Sequence, residues 1–180
     1  MRQSYQKIKE ILDKTDWQCS LIQPSPDHPS YQAEVSIKET MNGKPLHLRL
    51  ILQGSDLVPG AFESSDCFDL LQMMLIFPIE LDSITIDSAR RLMCILNKIC
   101  FFNGFSIDET TMHMFFRYSL VLTDKEDGSS TIPALIEAIA KQTTNFAPII
   151  EQIGNGKQSY EEMIAQARSE MGDELASDLL

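Results

Sequence analysis

Paired cysteines, long apolar runs and metal-binding histidine patterns are all missing from this 180-residue chain. Its four cysteines, Cys19, Cys67, Cys94 and Cys100, show no paired spacing. The last two fall on one predicted helix, where ~1.5 Å of rise per residue sets them ~9 Å apart along the axis, too far for a disulfide. Reduced, mostly buried thiols in a cytoplasmic protein are therefore expected. No apolar run approaches the ~20 residues of a membrane span. The opening "MRQSYQKIKEILDKTDWQ" breaks its apolar residues with charge, unlike the core of a secretory signal.

The common catalytic signatures are missing too. His28, His47 and His113 fall in a loop and two different predicted strands, with no HExxH, no HxxxH and no cysteine at ligand spacing. There is no GxSxG elbow, no Walker loop and no GxGxxG. Acid pairs such as Asp108 with Glu109, or Glu161 with Glu162, fall in a turn or an exposed first helical turn, where solvated carboxylates are expected in place of the buried carboxyl that general acid/base catalysis needs. The expectation is a protein that is not an enzyme, with no catalytic residue, no cofactor and no metal.

What is abundant is acid. The 15 basic and 26 acidic residues leave a formal charge of −11, which repels phosphate backbones and anionic headgroups. Neither nucleic acid nor a membrane is an expected partner. A chain of this length fits one domain and removes roughly 70% of its unfolded surface from water without help from metals or disulfides.

The apolar pattern divides the chain. Tyr5, Ile8, Ile11 and Leu12 recur at helical spacing, predicting a helix over 3–14. From Tyr31 the period becomes two, with Ala33, Val35 and Ile37 on one side, and a strand follows. Asn42-Gly43 suits a tight hairpin turn. The second strand alternates Leu46, Leu48, Leu50 and Leu52 with His47, Arg49, Ile51 and Gln53. After the loop "QGSDLVPGAFESSD", the stretch "CFDLLQMMLIFPIEL" is apolar at nearly every position and predicts a central strand covered on both faces and stopped by Pro78.

A helix over 86–102 is next, capped by Asp87 or Ser88 and ended by Asn103-Gly104 in the left-handed conformation. "FSID", a turn, and "MHMFFRYSLVL" give two more strands. A long helical region through Ile153, bent before Pro148, ends at Gly154–Gly156. Ser159 with Glu162 forms a capping box for a last helix through Met171. The order α-β-β-β-α-β-β-α(α) is that of an antiparallel sheet with packed helices, class α+β. Residues 1–172 are read as one domain and 173–180 as a flexible acidic tail.

Arg117 shares one face of its strand with His113, Phe115, Ser119 and Val121, while Met112, Met114, Phe116, Tyr118, Leu120 and Leu122 line the other. Two readings stand. The guanidinium lies along a half-exposed sheet, or Phe115, Arg117, Arg49 and Ile51 form a docking face. The nine methionines are either core filler or part of an adaptable binding surface.

The run from Leu70 to Leu122 resembles the YbjN family of bacterial proteins, described as sensory transduction regulators. The shared pattern is a strand ending near a proline (Pro78), a helix carrying Leu96-Asn97, then Gly104-Phe105 with Asp108, and a strand containing Arg117. The later "TNFAPIIEQIGNGKQSYEEMIAQAR" resembles that family's closing helices. The chain departs from the pattern in having no residue between Gly104 and Phe105. The family is similar in fold to class I type III secretion chaperones. The resemblance implies a cytoplasmic, homodimeric protein-binding module with a chaperone-like or regulatory role, its partner another protein, secreted or regulatory. The alternative is a small-ligand sensor domain.

Overall fold

The computed structural model describes residues 3–26, 30–41, 43–54, 68–123 and 128–171. Asn42, His28, Cys67, residues 173–180 and most of the loop after Gln53 lie outside them.

The chain is class α+β: helix α1 (Gln3–Leu12), strands β1 (Cys19–Ile22), β2 (Tyr31–Met41), β3 (Lys44–Gly54) and β4 (Phe68–Glu80), helix α2 (Ile86–Ile99), strands β5 (Phe105–Asp108) and β6 (His113–Thr123), and helices α3 (Thr131–Gly154) and α4 (Tyr160–Met171). The six strands form one antiparallel sheet in the order β1-β2-β3-β4-β6-β5. Strand β1 adds to the expected order. It pairs Cys19–Ile22 against Val35–Gln32 at one edge.

Alternation puts Leu46, Leu48, Leu50 and Leu52 of β3, Leu71, Met73, Leu75 and Phe77 of β4, and Met114 and Phe116 of β6 on one face, all buried. Helices α1, α2 and α3 cover that face through Tyr5, Ile8, Leu92, Leu96, Ile132, Ile136, Ile139 and Ile150. Each such side chain contributes roughly 1.5–3 kcal/mol on leaving water. Gly154 lets α3 lie close on the sheet, since a Cβ there would stand 2.8 Å from both Ile79 and Met114.

Among the described residues no helix lies on the sheet's other face, which corrects the reading of β4. This strand is central but covered on one face only. Gln72 and Met74 are half-buried and Ile76 is 47% exposed. Nor does Pro78 stop it. The strand continues to Glu80 through a register shift between Ile76 and Glu80, the kind of irregularity that accommodates a residue with no N–H.

Helix α2 starts at Ile86 and is preceded by a turn that Asp82, rather than Asp87 or Ser88, organises. Asp82 Oδ1 accepts the N–H groups of Ile84 and Thr85 at 2.9 and 2.8 Å and the Thr85 hydroxyl at 3.0 Å. The helix ends at Ile99 with Cys100 extended, so Gly104 is not its left-handed cap. Helix α3 runs unbroken through Pro148. The capping box is present: the Ser159 N–H donates to Glu162 Oε2 at 2.7 Å and the Glu162 N–H to Ser159 Oγ at 3.2 Å.

Candidate functional site on the open sheet face

The uncovered face is built from the residues that alternate with the core. Across it, Glu34 lies opposite Arg49, Arg49 opposite Met74, and Met74 opposite Arg117. Two arginines distant in sequence thus flank one methionine in a single cross-strand row. In the neighbouring row Ile76 lies opposite Phe115, and Phe115 opposite Ser106. Ile51 lies opposite Gln72 and Gln32, one row beyond the arginines.

Two shallow hollows share the floor formed by Met74 and Ile76. One, of about 670 Å³, is bounded by Phe115, Arg117, His113, Ile107 and Asp108. The other, of about 520 Å³, is bounded by Arg49, His47, Glu34, Pro78 and His113. Of the four residues expected on a docking face, Phe115, Arg117 and Arg49 border these hollows. Ile51 shares the face but borders neither.

The two arginines differ in their surroundings. Arg49 Nη2 approaches Glu34 Oε2 at 3.5 Å, and Glu34 also faces His47 Nδ1 at 3.5 Å. Arg117 is exposed and has no ion-pair partner among the described residues. Its backbone is fixed instead, its N–H donating to the Gly104 carbonyl at 2.9 Å. Gly104 is held in turn by Asn97, whose Oδ1 accepts the Gly104 and Phe105 N–H groups, both at 2.9 Å, and whose Nδ2 donates to the Phe105 carbonyl at 2.8 Å. Asn97, through Gly104 and Phe105, therefore sets the position of the strand bearing Arg117. At the rim, the Thr110 and Thr111 N–H groups hold the Asp108 carboxyl below its usual range.

Met74, Ile76 and Pro78 were missed as site residues. Their signal was the even-numbered half of β4, which reads as a second buried face because it is nearly as apolar as the first. Of the methionines, Met73, Met93 and Met114 are buried in the core, whereas Met74 is half-buried and borders both hollows. The cysteines depart from expectation, since Cys94 is exposed and Cys19 and Cys100 are half-buried. Burial pushes the Cys100 thiol up to about 11.

Among the described residues, no helix is long and apolar enough to cross a membrane, and no group of three or more His, Cys, Asp or Glu side chains could hold a metal ion. A scan against protein-family models finds no match, and searches of curated proteins and of solved structures find none either.

Proposed function

We propose that this chain is a non-enzymatic protein-binding module with a chaperone-like or regulatory role, and that the open sheet face is where its partner docks. The observation that carries this reading is the row in which Arg49 and Arg117 flank Met74 on a face that no helix among the described residues covers. Apolar floor and planar cationic donors are the combination that anchors protein interfaces, because arginine both stacks and donates in a fixed plane. In a chain of formal charge −11, cations gathered here favour a segment bearing apolar and acidic side chains. The resemblance to YbjN-type proteins and class I secretion chaperones supports the same role by analogy of fold, with a cytoplasmic location and a secreted or regulatory protein as partner.

The double variant Phe115→Ala/Arg117→Ala tests it. Partner recovery in a pull-down from the native cell falls while the circular dichroism spectrum stays that of wild type. Undiminished recovery contradicts the reading. Two other occupants give distinct outcomes: a metabolite that co-purifies with the chain and fills the hollow beside Phe115 identifies a sensor, and a concentration-dependent dimer lost in the double variant identifies a second copy.

A further inference from the structure

Strand β6 spans 11 residues, but β5 pairs only with its first part, His113 to Phe116. One more backbone bond follows, from the Arg117 N–H to the Gly104 carbonyl. In an antiparallel ladder the N–H and C=O of successive residues point to opposite edges. Arg117 therefore sets the phase: Ser119 and Val121 also turn these groups away from β4. Those groups have no partner among the described residues. The chain preceding Gly104 does not cover them, because the Gln142 side chain of α3 binds the Phe102 N–H and carbonyl at 3.0 and 2.8 Å.

This half-edge reads Tyr-Ser-Leu-Val-Leu from Tyr118 to Leu122, with neither charge nor proline. Exposed edges are ordinarily guarded by such residues against pairing with another chain. Strand β2 supplies the contrast. It too outruns its edge neighbour, whose register stops at Val35, but its overhang contains Lys38 and Glu39. Beside the unguarded edge, the Phe102 ring meets Tyr118 edge-on at 5.3 Å. An apolar hollow continues from Phe102 to Ile99, Phe101 and Phe146, with Phe101 91% exposed.

We propose that the Tyr118–Leu122 edge accepts an extended segment of a partner polypeptide as a further strand, its alternate apolar side chains seated over Phe101 and Phe102. The free backbone groups of Ser119 and Val121 require an extended backbone, and the hollow requires an apolar residue at every second position. A formal charge of −11 per chain opposes a second copy as the occupant and favours neutral or basic residues at the intervening positions. This edge is separate from the open-face hollows, and neither site depends on the other.

The probe is the peptide acetyl-KVTVTVK-amide, compared with its counterpart N-methylated at two adjacent central residues. Methylation keeps the side chains and removes a donor on each edge. The unmodified peptide slows amide exchange at Ser119 and Val121 by about tenfold or more, and the methylated one binds about tenfold more weakly or not at all. The variant Val121→Pro, which lacks an outward donor but keeps the bonds to β4, loses the binding with its circular dichroism spectrum intact. Equal binding of the two peptides, protection confined to other residues, no binding of either peptide, or a dimer of this chain that blocks the edge each overturns the proposal. Should Val121→Pro fail to fold, the comparison of the two peptides decides alone.

Discussion

The backbone of Gly104 lies so close to that of Arg117 that no side chain fits between them. A Cβ on Gly104 would stand 2.3 Å from the Arg117 carbonyl oxygen. Because that atom is backbone, it cannot swing aside as a flexible side chain would. Gly104→Ala is expected to cost about 2–3 kcal/mol in denaturant unfolding, as overpacking at rigid sites does. It is also expected to weaken the pairing that presents Arg117. Wild-type stability in this variant would contradict the packing described.

Tyr5 offers the opposite sign. Its ring is buried and stacks on Tyr31 with centroids 4.5 Å apart, yet its hydroxyl has no hydrogen-bond partner among the described residues. Burial raises its pKa, as expected for a group denied solvent. Tyr5→Phe keeps the stacked ring and removes the orphaned hydroxyl, so the unfolding free energy is expected to rise by about 1 kcal/mol. A loss of stability would reveal a partner for that oxygen.

Asp82 gives a pH signature. Hydrogen bonds from Thr85, and then from Ile84, lower its folded pKa below 3.8. A carboxyl depressed on folding contributes stability above its unfolded pKa and loses it as the pH falls through the folded value. Asp82→Ala is therefore expected to melt at a lower temperature than wild type at pH 7, with the gap narrowing as the pH drops below 3.8. A gap that is constant across that range would show that the carboxylate's charge is not what organises the turn.

Most of the fold was legible because its elements alternate cleanly. Leu46 to Leu52 and Met112 to Leu122 each show a period of two with one wholly apolar side, and α1 and α2 show a helical stripe. β1 was not legible, because "CSLI" is too short to establish a period and its strand character comes from pairing with Val35–Gln32 of β2. The two-sided greasiness of β4 misled for a physical reason. An exposed apolar docking surface and a buried core face have the same composition, and only the absence of a covering helix separates them. Phe115, Arg117 and Arg49 could be named from their mixed strand faces, but their meeting around Met74 depends on register, which no single strand encodes. The Gly104 contact was likewise hidden, since a glycine after a helix reads first as a cap.

The central claim is that the open face meets a partner. The most direct measurement is site-specific photocrosslinking in the native cell, with the photoreactive residue placed at Ile76 on the open face or at Cys94 on the exposed side of α2. A protein adduct from position 76 that is absent from position 94 and lost when Phe115→Ala/Arg117→Ala is added is the expected result. Those two substitutions are expected to change stability by no more than about 1 kcal/mol together, so the loss would report on docking and not on folding. Adducts from position 94 alone, with none from position 76, would contradict the account.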